Sequence, residues 1–165
     1  RVSVSAGVWR GASRYPALRL GGGEAASGAA LARVAPEAVA TMVRECGSQP
    51  ADLLAAIGPS VGAADYGVGE SLIGPFTASG HHAAHIDRWF LRPTAKPHLD
   101  LWAANRDQLG RAGLAADHIY VCGLSTVSHP DVFDSYRVEG ERAGRMAAPD
   151  VILAGIRQAL ACRES

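Results

Sequence analysis

The stretch LLAAIGPSVGAADYGVGE, residues 53–70, decides how this chain folds. Its first half, residues 53–57, is a short, purely apolar run of the length and composition of a buried strand. The run stops at Gly58-Pro59-Ser60, and Gly62 follows closely, so a glycine-punctuated loop sits at the strand's end. Before it, Pro36 suits a first helical turn and Glu37 favours the positive end of a helix dipole. Val39, Met42 and Val43 keep helical spacing, and Gly47 is a stop. After it, a short helix is expected within residues 66–76 and a strand over 89–91. A long helix is expected over 99–112, with Leu99, Trp102 and Leu109 on one face, Leu101 beside it, and Asn105 to Gln108 on the polar side. Residues 119–122 read as a strand, 123–134 as a loop, 136–138 as an edge strand and 151–160 as a helix. Strand, helix, strand, helix, strand implies an α/β or α+β layered domain. No linker divides it, so residues 1–165 are read as one domain.

The first residues alternate: Val2 and Val4 with Ser3 and Ser5, a short strand with one apolar face. Gly7 and Gly11 bracket Val8, Trp9 and Arg10 in an expected loop. Residues 13–29 carry Pro16 and three consecutive glycines and read as a flexible loop or insertion.

Composition bounds the function. Hydrophobic residues make up 48% and charged residues 19%, the balance of a globular chain. Sixteen basic against 16 acidic residues give zero net charge, which argues against a nucleic-acid surface. No apolar run approaches the ~18 residues of a membrane span. No signal-peptide pattern opens the chain. Three well-separated cysteines, Cys46, Cys122 and Cys162, without a CxxC pair, suggest reduced thiols and a cytoplasmic location.

Four stretches hold candidate chemistry. In GHHAAH, His81 and His85 would share a helical face at metal-ligand spacing, or the stretch is a solvated polar loop. GPSVG fits G-x-S-x-G at Ser60, with His129 as base and Asp131 or Asp134 as orienter of a serine hydrolase, or it is a tight Gly/Pro loop. Residues 125–137 collect Ser125, Thr126, Ser128, His129, Ser135, Tyr136 and Arg137. Hydroxyls and a guanidinium at a strand end suit phosphate or sugar recognition, because arginine grips phosphate oxygens in pairs. A polar surface loop reads equally well. Cys122, in an apolar strand, is expected to be a buried structural thiol.

In combination, SAGVWRG (5–11), AAIGPSVGAADYGVGE (55–70), HLDLWAANRDQLGRAGL (98–114) and STVSHPDVFDSYR…AGRMA (125–147) resemble the laccase-domain family, also called multicopper polyphenol oxidoreductase or purine nucleoside phosphorylase-type proteins. The resemblance implies an α+β fold of mixed sheets flanked by helices, an α/β/β/α arrangement that is incomplete here. It implies phosphorolysis of purine nucleosides, with adenosine deamination and methylthioadenosine phosphorolysis also attributed to the family. Purine nucleoside and phosphate would be the partners. It further implies one zinc held by two histidines and a cysteine, leaving a position for water or substrate. Copper is not expected, since six scattered histidines are few for a multicopper centre. The zinc histidine of the family's His-Ala-Gly-Trp-Arg-Gly motif is replaced by Ser5, and Val8 is inserted before Trp9. The other two ligands belong to an N-terminal half that this sequence does not include, so tight zinc is not expected. Ser125-Thr126 stand for the family's Cys-Thr. The resemblance leaves Arg10, Ser60 and Arg137 as catalytic candidates. Trp9, Tyr66, Ser125, Thr126, Ser135 and Tyr136 remain as the substrate-facing wall. Either an impaired enzyme or a non-catalytic paralogue acting as an oligomerisation module fits, and unpaired sheet edges would favour self-association.

Overall fold

A computed structural model describes residues 3–4, 6–9, 20–21 and 30–144. In chain order, the strands are β1 Ser3–Val4, β2 Ala6–Trp9 and β3 Leu20–Gly21, then helix α1 Val34–Cys46 and β4 Leu54–Ile57. Helices α2 Ile73–Ala78 and α3 Ala83–Trp89 follow, then the two-residue strands β5 Phe90–Leu91 and β6 His98–Leu99. Helix α4 Leu101–Arg111, strand β7 Ile119–Val121 and helix α5 Tyr136–Glu139 complete the order. The mixture is α+β, as the sequence implies. No helix among the described residues is long and apolar enough to cross a membrane.

The central sheet has the order β2-β4-β7. β2 runs antiparallel to β4, with Ala6 opposite Ile57 and Trp9 opposite Leu54. β4 runs parallel to β7, with Ala55 opposite Ile119 and Ile57 opposite Val121. A parallel pair needs a long crossover, and α2 to α4 lie within it. In β4 burial alternates: Ala55 and Ile57 are buried, Leu54 and Ala56 half-buried. The buried pair faces α1 and α4. Ala35, Val39 and Met42, spaced four and three apart on α1, meet Leu53, Leu109, Leu114 and Ile119 in one core cluster. Leu53 and Leu109 are essentially without solvent contact, and burial of such a side chain stabilises by about 1.5–3 kcal/mol. A second cluster lies beside it, built by Phe76, Ile86, Trp89, Phe90, Leu99 and Leu101 with Val61 and Tyr66.

Helix ends follow local chemistry. Gly47 stops α1, its N–H returning to the Val43 carbonyl at 3.0 Å. The Asp100 carboxylate accepts from the Ala103 N–H at 2.9 Å and starts α4. That cap corrects the expected start: Leu99 belongs to β6, not to the helix. Asn105 and Gln108 are buried, contrary to a polar outer face. Their amide nitrogens donate to the carbonyls of Leu101 and Ala30, each at 2.8 Å, so these donors are satisfied, whereas Gln108 Oε1 is buried without a partner among the described residues. Gly113 turns the chain after α4 at φ +101°, where a Cβ would lie 2.9 Å from Pro50 Cβ.

Four further expectations change. Val8 and Trp9 lie in β2 rather than in a loop, because pairing with β4 outweighs the flanking glycines. Trp89 ends α3 instead of opening a strand; its ring packs between α2 and α4. Residues 136–138 form part of the short helix α5 rather than an edge strand. Cys122 lies just past β7 and is exposed, not buried. Arg10, Ser5, most of the 13–29 loop and the 151–160 helix lie outside the described residues, as does the side chain of Trp9.

Candidate functional site

Two loops leave the carboxyl ends of the neighbouring parallel strands β4 and β7: residues 58–69 and 122–135. In open sheets with parallel strands, that end is where ligand crevices form. The loops stay joined. Cys122 N–H donates to the Ile57 carbonyl at 2.9 Å, Thr126 N–H to the Ser60 carbonyl at 3.0 Å, and Ser60 pairs with Ser125 as an isolated parallel bridge. Gly62 permits the approach: a Cβ there would come within 3.1 Å of Ser125 Cβ and 3.3 Å of Trp102 Cη2.

Ser125 is the centre of the polar contacts. Its hydroxyl accepts from the Gly62 N–H at 3.1 Å and from the Val127 N–H at 3.3 Å. It donates to Asp65 Oδ2 at 2.6 Å, and Ser128 donates to the same oxygen at 2.7 Å. These two hydroxyls, Ser125 first, hold the Asp65 carboxyl below its ordinary range, with help from His129 and His98 nearby. Both imidazoles have a settled tautomer. His129 Nδ1 lies 2.9 Å from the Ser125 carbonyl and His98 Nδ1 lies 2.8 Å from the Ala63 carbonyl. A carbonyl only accepts, so each Nδ1 carries the proton and each Nε2 is the acceptor in the neutral ring. The Arg137 guanidinium stands 4.7 Å over the buried Tyr66 ring and donates to the Gly67 carbonyl.

The structure thus brings Ser60, Tyr66, Ser125 and Thr126 into one pair of loops, with Arg137, from α5, set over Tyr66. Ser60 is fully buried, and its hydroxyl accepts from the Trp102 indole N–H at 2.7 Å. His129 is turned to a backbone carbonyl, so among the described hydrogen bonds none joins it to Ser60. This is the setting of a structural acceptor, not of an activated nucleophile. Thr126 and Ser135 are buried with hydroxyl oxygens that find no partner among the described residues. Tyr136 is exposed at the start of α5.

Asp65 and His98 were not among the candidates read from the sequence. Asp65 carries the lone charge between Asp52 and Glu70, in a stretch otherwise apolar, small or hydroxylated. A single carboxylate in such a run was the available signal.

The histidine stretch 81–85 corrects the solvated-loop reading. His81 is buried, with its ring centroid 5.7 Å from that of Phe76 and 5.1 Å from that of Trp89. His82 caps α3 through Nδ1, and His85 lies flat against Trp89 at 6.0 Å. Burial pushes the His81 imidazole below its ordinary value, opposed by a backbone hydrogen bond to Leu31. Among the described residues no three His, Cys, Asp or Glu side chains are grouped to hold a metal ion. A hydroxyl such as that of Ser5 is a poor zinc ligand at neutral pH, and position 5 lies outside the described residues. The zinc implied by resemblance therefore does not fit the side chains described.

Residues 26–152 match the family described as multi-copper polyphenol oxidoreductase laccase. A protein of Bacteroides thetaiotaomicron named purine nucleoside phosphorylase is 33% identical over 118 residues, 70% of this chain and 43% of its own length. Purine nucleoside phosphorylase YlmD of Bacillus subtilis is 36% identical over 119 residues, 69% of this chain and 40% of its own. The crystal structure of the hypothetical protein YfiH of Bacillus licheniformis matches with a TM-score of 0.62 at 29% identity. That match covers 67% of this chain and 41% of the other. The chain thus spans about two fifths of the length of these relatives. Its ordered motifs, its α+β fold and the match over residues 26–152 agree: this chain belongs to the multi-copper polyphenol oxidoreductase laccase family.

Proposed function

We propose that this chain carries the nucleoside- and phosphate-facing wall of a purine nucleoside phosphorylase-type site. The observation that carries the reading is the placement of Arg137 over the ring of Tyr66, which lies on the loop leaving the carboxyl end of β4 beside that of the parallel strand β7. The names of the relatives supply the substrate class. A guanidinium held over an aromatic ring keeps a defined direction and can grip a phosphate oxygen pair. Arg10 would add a second positive charge from the β2 end, and Trp9 and Tyr136 would offer aromatic surface to the base. In the reaction a phosphate oxygen forms a bond to the sugar C1′. The bond to the purine nitrogen breaks, and the base leaves with that electron pair and takes up a proton. No step is assigned to zinc on these residues. Ser60 and Ser125 act by holding the two loops together.

Steady-state phosphorolysis of inosine and adenosine tests the reading, with adenosine deamination followed in the same assay. Turnover above background that falls about tenfold or more in Arg137→Ala, with phosphate KM rising, is expected. Nucleoside binding without turnover would favour a non-catalytic binding module. Fluorophosphonate labelling of Ser60 would revive the hydrolase reading and is not expected.

A further inference from the structure

The Asp65 carboxylate is used on one side only. Oδ2 takes both serine hydroxyls, whereas Oδ1 has no hydrogen-bond partner among the described residues. Asp65 is half-buried and Ser128 is exposed, so the free oxygen and the Ser128 hydroxyl are both open to a ligand. Ser128 spends its proton on Asp65, which leaves its oxygen lone pairs as acceptors. The pair therefore presents two adjacent acceptors and no donor. An anion is repelled by this arrangement, and a metal ion finds no third grouped side chain. What fits is a neutral group with two neighbouring O–H donors.

We propose that Asp65 Oδ1 and Ser128 Oγ bind the vicinal hydroxyls of a sugar and so make this site selective for ribosides over their deoxy analogues. The inference rests on the nucleoside reading above and adds to it which end of the ligand lies where. The sugar diol sits at Asp65, and the anion sits at Arg137 beyond the Tyr66 ring. The carboxylate is suited to this because the Ser125 and Ser128 hydroxyls and the nearby His98 and His129 keep it ionised. An ionised acceptor whose orientation is already fixed makes a stronger hydrogen bond to a hydroxyl than a neutral one does. Among the described residues Asp65, His98, His129 and Arg137 are the charged or titratable groups of these contacts, and Tyr66 lies under the Arg137 guanidinium.

Calorimetric titration of the full 165-residue chain with inosine, 2′-deoxyinosine, 3′-deoxyinosine and 2′,3′-dideoxyinosine tests this directly. In the unmodified chain the dideoxy compound should bind about tenfold or more weakly than inosine. In Asp65→Asn that preference should shrink to about twofold while phosphate binding is retained. Ser128→Ala removes an exposed hydroxyl and should give an intermediate preference. Circular dichroism checks that each variant folds, and if Asp65→Asn does not, the unmodified chain and Ser128→Ala decide. Equal binding of inosine and its dideoxy analogue, or a preference undiminished in a folded variant, overturns the diol site and leaves the nucleoside reading standing. Absence of any nucleoside binding overturns both.

Discussion

Two regions of this molecule gather histidines beside polar and aromatic residues, and they do opposite things. At the carboxyl ends of β4 and β7, His98 and His129 each give Nδ1–H to a backbone carbonyl, and Asp65 keeps one oxygen free. Around Trp89, His81 is packed between rings with Nε2 buried and unpartnered among the described residues, and His85 Nδ1 is likewise buried, with the Asp107 carboxylate 3.6 Å away, beyond hydrogen-bond reach. The first region turns the unused capacity of Asp65 and Ser128 outward, although the Thr126 and Ser135 hydroxyls of its second loop are buried without a partner among the described residues. The second has unmade hydrogen bonds turned inward, where no solute reaches them. Residue type alone does not separate the two; the direction of the unused donor or acceptor does.

The contrast can be broken most severely at Trp89. Its ring is fully buried and its indole N–H donates to Asp107 at 2.8 Å. Trp89→Ala should destabilise by about 3–5 kcal/mol in chemical denaturation. A loss below about 1 kcal/mol would show that this cluster is not core.

In the open region the corresponding change is Ser125→Ala. It strips the Gly62 N–H of its acceptor and Asp65 of its principal donor, and about 1–3 kcal/mol of stability should go. The Asp65 carboxyl should then titrate closer to the ordinary 3.8, as read by NMR of its side-chain carbon. A depressed carboxyl contributes stability above that value and loses it as the pH falls through the folded-state pKa. Ser125→Ala should therefore flatten the stability curve in acid below about pH 4.

A smaller effect tests the buried histidine. The His81 imidazole is depressed by burial, so the unfolded chain binds more protons once the pH drops below about 6.5. Stability should fall on acidification from that point, and His81→Phe should flatten the slope in thermal melts between pH 6.5 and 5. An unchanged slope would remove His81 as its source. Smallest is Arg137→Lys, which loses the planar stack on Tyr66 and should alter stability by less than about 1 kcal/mol. Its phosphate affinity should drop further than its melting temperature, because the site faces outward and the fold does not depend on it.

The elements that could be read in advance are those whose cause is local. Pro36, Glu37 and Gly47 mark α1 by their own backbone and charge preferences. The apolar runs at 53–57 and 119–122 became β4 and β7 because a short apolar segment bounded by breakers favours a strand, although in β7 only Ile119 is buried. The errors have a common origin in tertiary contacts. Asn105 and Gln108 look like a solvated face until the Leu101 and Ala30 carbonyls come within reach. Residues 136–138 look extended, yet among the described residues no strand pairs with them and they form a helix. Cys122 looks buried by composition, yet it falls one position past the last ladder pair of β7.

The candidate site divides the same way. Ser125, Tyr66 and Arg137 were visible as members of ordered motifs, since hydroxyls, aromatics and guanidinium at strand ends follow from chain order. That Asp65 and Ser125, sixty residues apart, share one hydrogen bond was not visible. Nor was the diversion of Ser60 to Trp102. Local sequence determines backbone conformation because propensities and caps act within a turn or two. Which polar atoms remain free is decided only when the parallel pairing of β4 and β7 sets their loops side by side. Whether a hydroxyl or a carboxylate has a partner then depends on distances of a few ångströms across the fold, and no spacing along the chain encodes them.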